Sequence, residues 1–196
     1  MTTEYIRRTD SDGVTHYVDK QDEPMSCALA SIGMVWDQTR SQCSVLGESG
    51  YKAVSGRFSG SLLQSQLNGD NNGVGNGTMN TNITPTLNAV GIVVSVDTGW
   101  QGPGAANAPP AYALAWNKPR IRSRNPALML VGWYRGWGAN LRRNGGHFIV
   151  AARTTFGGWV VVLDPATGTM HELHGSAGRY INHGLQGWIE QIWYTG

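Results

Sequence analysis

Two short apolar runs constrain this chain more than anything else in it: Phe148-Ile149-Val150-Ala151-Ala152 and Trp159-Val160-Val161-Val162-Leu163. Neither alternates polar with apolar residues, the pattern of strands buried on both faces. Thr155-Phe156-Gly157-Gly158 between them is a turn sequence, so the runs are expected to pair as an antiparallel hairpin. Residues 127–133 are expected to join them in an antiparallel sheet, and residues 188–194 to close it.

The first half of the chain reads differently. Residues 5–19 form an expected hairpin that turns at Asp10-Ser11-Asp12-Gly13 and leads into Gln21. After Pro24, residues 26–40 place Leu29, Ile32, Val35 and Trp36 at helical spacing, with one buried stripe. Further helices are expected at 45–53 and 61–67. A short one starts at Thr84-Pro85, with Pro85 suited to its first position. A strand is expected at 92–96, and loops at 68–77, which is rich in glycine and asparagine, and at 99–110. The fold class is therefore α+β, in a single domain over 1–196, with a helical lobe at about 21–90 and a sheet lobe at about 91–196.

Composition removes several function classes. The net charge is +2 with no basic block, so nucleic acid and membrane surfaces have no electrostatic support as partners. Two cysteines, Cys27 and Cys43, cannot build a disulfide framework. The first eight residues contain no apolar segment of signal-peptide length, and no run is long enough to span a bilayer. The location stays open between the cytoplasm, export by a route that needs no cleaved signal, and a sequence trimmed at its start. His171-Glu172-Leu173-His174 lacks a third ligand nearby, so no metal is expected, and no cofactor either. Cys43 reads as packing, and His16 and His183 as surface residues. The tryptophans at 100, 116, 133, 137, 159, 188 and 193 read mostly as core. The aromatic cluster from Trp133 to Trp137 is the one expected beside a cleft.

One set of residues points to a chemistry. Cys27 falls in the first turn of the expected helix, where unpaired backbone N–H groups and the helix dipole favour an anion. A thiolate there is a nucleophile for acyl transfer. Gln21, six residues upstream, can return a side-chain amide as a second donor to a developing oxyanion, beside the Cys27 N–H. His147 follows two glycines and opens the first apolar run, while Asp164 leaves the second run beside it. A carboxylate there would hold the imidazole tautomer and stabilise an imidazolium. Taken singly, each of these residues has an ordinary structural use. Their conjunction, in this order, is what points to a site.

Gln21-x5-Cys27 with its following helix, Gly145-Gly146-His147-Phe148-Ile149-Val150 and Leu163-Asp164-Pro165-Ala166-Thr167-Gly168 together resemble the papain-like cysteine peptidases. Within them the pattern is closest to the branch of double-glycine-leader peptidases and avirulence-type effector proteases. Ala28 departs from the glycine often found after the cysteine in that family. The resemblance implies a papain-like fold, with a helical lobe carrying the cysteine packed on an antiparallel sheet carrying histidine and aspartate. It implies Cys27 as nucleophile, His147 as general base and acid, Asp164 as orienter and Gln21 as oxyanion donor. Trp133, Trp137 and Gly146 are expected to contact substrate. The implied activity is thiol-dependent hydrolysis of a peptide or amide bond through an acyl-enzyme. Its partner is a protein or peptide substrate, with a chaperone or immunity protein if the chain is a free bacterial effector or toxin. Alternatives are the same site used as a deamidase, a transglutaminase-like enzyme or a peptidoglycan amidase, and a catalytically silent binding module.

Overall fold

The computed structural model describes residues 5–21, 26–40, 78, 80–98, 117–135, 142–174, 179–182 and 185–196. The expected helices at 45–53 and 61–67 and the loops at 68–77 and 99–110 lie outside these residues. So do Cys43, Trp100, Trp116, Trp137 and His183.

Among the described residues the fold is α+β, with two antiparallel sheets. The first is the hairpin of β1 (Tyr5–Thr9) and β2 (Thr15–Asp19). The second takes in β3 (Ser95–Thr98), β4 (Ala127–Arg135), β5 (Arg142–Thr154), β6 (Val160–Asp164), β7 (Thr169–Leu173), β8 (Arg179–Asn182) and β9 (Leu185–Tyr194). Its order is β3-β9-β4-β5-β6-β7, with β8 paired to the first half of β9. Two α-helices accompany them, α1 (Cys27–Thr39) and α2 (Ile83–Ala89), with short 3-10 turns at Asn80–Asn82 and Lys118–Arg120.

The two apolar runs lie at the centre of the large sheet, and alternation of side chains splits them between two cores. Leu128, Leu130, Phe148, Val150, Leu163 and Trp193 pack with Ala28, Ile32 and Val35 of α1. Met129, Val131, Ile149, Ala151, Val162, Ile189 and Ile192 form the core of the other face. Both faces are therefore dry, which is why neither run could afford alternate polar residues. Fully burying one such side chain contributes about 1.5–3 kcal/mol. The helix is also pinned in register, because Ser31 Oγ donates to the Phe148 carbonyl at 3.1 Å. That bond draws the start of α1 toward the strand segment bearing His147.

Three expectations need correction. The strand expected at 92–96 is Ser95–Thr98, because β9 ends its pairing at Tyr194, opposite Ser95, and leaves residues 92–94 no partner strand. Ile92 instead returns its N–H to the Leu87 carbonyl of α2 and buries its side chain. His16 is buried rather than on the surface: β2 turns His16 and Val18 inward and Tyr17 outward, and His16 Nε2 lies 2.9 Å from Asp10 Oδ2. Trp159 is 40 % exposed rather than core, since it precedes β6 at the turn and lays its ring against His174. Burial alone would raise the Asp10 carboxyl, but His16, the Val14 N–H and Arg153 outweigh it and hold the group below its ordinary value. Its contribution to stability is thus present above the unfolded value of 3.8 and is lost as pH falls through the lower folded value.

One glycine is demanded by close approach. A Cβ on Gly132 in β4 would collide with Glu190 Oε1, and Glu190 is held by Tyr134 and Arg143 and cannot easily withdraw. Gly132→Ala should cost about 1–3 kcal/mol. A thermal melt would then show Tm lowered by roughly 2–12 °C. An unchanged Tm would mean that Glu190 yields without penalty.

Candidate functional site

Cys27 is the first residue of α1 and is half-buried. The N–H groups of that first turn have no acceptor within the helix, so the helix presents donors and the positive end of its dipole where the sulfur sits. The residue packs against the core cluster that joins α1 to the sheet, which ties its place to the helix's buried stripe.

His147 lies within β5, five residues past its start at Arg142, rather than opening the strand as expected. Gly145, at φ +121°, adopts a conformation closed to most side chains, and Gly146 pairs with Gly132, so the backbone continues through the two glycines. β6 pairs Leu163 with Val150 and stops one residue later, so His147 stands beyond the end of β6. Asp164, the last residue of β6 and fully buried, reaches back across that gap. Its Oδ1 lies 2.7 Å from His147 Nε2 and also accepts the Ala166 N–H at 2.9 Å. The second bond is an Asx turn that sets the carboxylate before the histidine meets it.

His147 is 7 % exposed. Burial opposes its charge, yet hydrogen bonds to Asp164 and to Cys27, with the charges of both, outweigh that and push the imidazole up to about 9. With Nε2 engaged by Asp164, Nδ1 is the ring atom left for the sulfur. The three side chains form one chain of contacts, Cys27 to His147 to Asp164, built from a helix start, a strand interior and a strand end.

Of the other expected site residues, Gln21 is drawn to the same corner: its backbone N–H donates to the Pro165 carbonyl at 2.9 Å, next to Asp164. Trp133 is half-buried in β4 and stacks on the His147 ring, centroids 6.0 Å apart and planes 20° apart. Gly146 is exposed beside His147. Trp137 lies outside the described residues. His171 meets Thr169 Oγ1 at 3.0 Å and His174 lies against Trp159, so the two histidines serve separate contacts. Among the described residues no cluster of three or more His, Cys, Asp or Glu could hold a metal ion.

An ion pair beside the site was missed in the sequence. Arg143 binds Glu190 through Nε and Nη2, both at 2.9 Å, and Tyr134 donates its hydroxyl to the same carboxylate at 2.7 Å. Burial and Glu190 push the Tyr134 phenol up, which keeps it a neutral donor. A Cβ on Gly146 would strike Arg143 Nη2, so the guanidinium lies over the residue next to His147. Glu190 inside the apolar run Trp188-Ile189-Glu190-Gln191-Ile192 was the available signal, a lone charge where a strand is otherwise dry. No protein-family model matches this chain, and no curated protein matches it.

Proposed function

We propose that this chain is a papain-like thiol hydrolase that cleaves a peptide or amide bond through an acyl-enzyme. One observation carries the reading: Cys27, at a helix start, lies close enough to a histidine to raise its charge preference, and that histidine's far ring nitrogen is held at 2.7 Å by a fully buried aspartate. A nucleophile, a base and an orienting group in that sequence of contacts are the parts of covalent acyl transfer.

The steps follow from the parts. The Cys27 thiolate attacks the carbonyl carbon and the carbonyl π pair moves to oxygen, where the Cys27 N–H and the Gln21 amide receive it. The His147 imidazolium gives its proton to the leaving amine as the C–N bond breaks, leaving a thioester. Neutral His147 then takes a proton from water, which adds to the thioester and releases acid and thiolate. Trp133, stacked on the imidazole, shields the proton relay and offers apolar contact to a substrate chain. A protein or peptide is accordingly the proposed substrate, and delivery as a free effector is the proposed setting by resemblance.

The test uses the whole chain with denatured casein and a fluorogenic peptide mixture. Hydrolysis that is blocked by iodoacetamide supports the reading, and hydrolysis indifferent to it refutes it. The role of Gln21 has its own expected result. Gln21→Ala should lower kcat by ~10²–10³-fold, the usual cost of one oxyanion donor, with iodoacetamide labelling of Cys27 little changed. An untouched kcat would assign the second donor to another group.

A further inference from the structure

The β1–β2 hairpin is tied to the large sheet at both of its ends. At its tip, Arg153 of β5 donates from Nη1 to Asp10 Oδ2 at 2.5 Å and from Nη2 to Asp12 Oδ2 at 2.6 Å. His16 Nε2 meets the same Asp10 oxygen at 2.9 Å, and Asp10 Oδ1 accepts the N–H groups of Asp12 and Val14. Asp12 also accepts the Phe156 N–H at 2.8 Å, and Ser11 donates to Glu172 of β7. Arg153 is 6 % exposed and Asp10 5 %, so this is a buried charge cluster and not a surface contact. Arg8, the register partner of His16, extends Nη2 along the hairpin to the Gly168 carbonyl; toward the open end Ile6 presses where a Gly168 side chain would stand, and the Gln21 N–H binds Pro165.

The two ends are far apart, and the separation is informative. From His147 to Arg153, β5 runs about 20 Å away from the site at 3.3 Å per residue. From His16 to Gln21 the chain runs about 17 Å back, at the same rise. The hairpin is therefore a rod laid alongside the sheet, with charges fastening one end and Gln21 at the other. An extended strand hardly stretches, so fixing the tip fixes where Gln21 falls. A guanidinium held by the buried Asp10 and the half-buried Asp12 does this with direction as well as strength, because the planar fork accepts only one arrangement of the two aspartates.

We propose that Arg153 is a positioning residue for the reaction: by binding Asp10 and Asp12 it sets the axial place of β2, and with it the Gln21 amide at the oxyanion. The inference rests on the thiol-hydrolase reading above. It assigns to a cluster remote from Cys27 a share of the oxyanion geometry, and none of the thiolate chemistry.

The test is a double-mutant cycle between Arg153→Met and Gln21→Ala, read without a substrate. N-acetylglycinal adds to a cysteine thiolate: the S–C bond forms, the carbonyl π pair becomes an oxyanion, and the imidazolium can supply its proton. Its affinity is measured as protection of Cys27 from iodoacetamide. Each single variant should weaken that affinity, Gln21→Ala by about 10–10²-fold, the worth of one hydrogen bond to a charged group. The double variant should be no weaker than Gln21→Ala alone, and the iodoacetamide rate without aldehyde should be the same in all four proteins. Arg153→Met affinity equal to wild type, losses that add in the double variant, or no loss in Gln21→Ala would each overturn the proposal. If Cys27 in the wild type reacts no faster than Cys43, it is the thiol-hydrolase reading that fails. Circular dichroism checks folding, and if Arg153→Met does not fold, Asp12→Asn decides through the same cycle. That variant removes one charge while keeping an acceptor for Phe156.

Discussion

Hydrolysis should fall to background in Cys27→Ala, a loss on the order of 10⁴–10⁶-fold, as expected when the nucleophile of a catalytic triad is removed. The same cysteine should be the preferred target of iodoacetamide at pH 6. An ordinary thiol is only about 0.3 % thiolate there, taking its usual value near 8.5. Cys27 instead stands at a helix start beside the charged His147 ring, two features that favour attack by its sulfur. Labelling of Cys27 should therefore outpace that of Cys43 by about 10–10²-fold, read by peptide mass spectrometry over a time course. His147 also sets the upper limit of the activity profile. Because its imidazolium must protonate the leaving amine and titrates near 9, turnover should decline as pH rises through about 9. Equal labelling of the two cysteines, with activity surviving in Cys27→Ala, would dispose of the mechanism.

The second large effect is expected at Asp164, where two substitutions separate geometry from charge. Asp164→Ala removes the acceptor for both His147 Nε2 and the Ala166 N–H, and leaves a buried imidazole free to turn. It should lower kcat by roughly 10²–10⁴-fold, the range seen when a triad histidine loses its orienting group. Asp164→Asn keeps an oxygen for both donors and removes only the charge; since thiol triads also work with an asparagine in the third place, its kinetic loss should be the smaller, unlike the same exchange in a serine triad. Its signature is in stability. The His147 value is raised in the fold from 6.5 to about 9, so the stabilisation from its partners is fully present below pH 6.5 and lost as pH rises through about 9. Wild type should exceed Asp164→Asn by about 1.5–3 kcal/mol at pH 6, a hydrogen bond to a charged group. The gap should narrow by pH 10. Denaturant titrations at the two pH values test this, and a gap independent of pH would mean that the histidine is neutral in the fold.

The legible parts were those whose cause is local. Strand identity for β4, β5, β6 and β9 followed from dry runs bounded by turns, and α1 from the spacing of Leu29, Ile32, Val35 and Trp36. The nearness of Asp164 to His147 followed from hairpin register, since a return strand must end beside the start of its partner's apolar run. His16 was misread because a histidine between polar neighbours carries no mark of its face. Only the seating of β2 against the sheet, where Asp10 and Arg153 meet its ring, made it a buried group. Arg143 and Glu190 are 47 residues apart and could not be joined by any local pattern.

From the sequence alone came which residues could do chemistry and the elements that carry them, because helix and strand periodicity and turn residues act over a few positions. The tertiary structure decided the rest: that Ser31 docks α1 on Phe148, that β6 stops one residue past Val150's partner, and that an ion cluster clamps the hairpin leading to Gln21. Those depend on pairing between segments far apart in the chain, and their energies come from burial and charge contacts that exist only once the layers have closed.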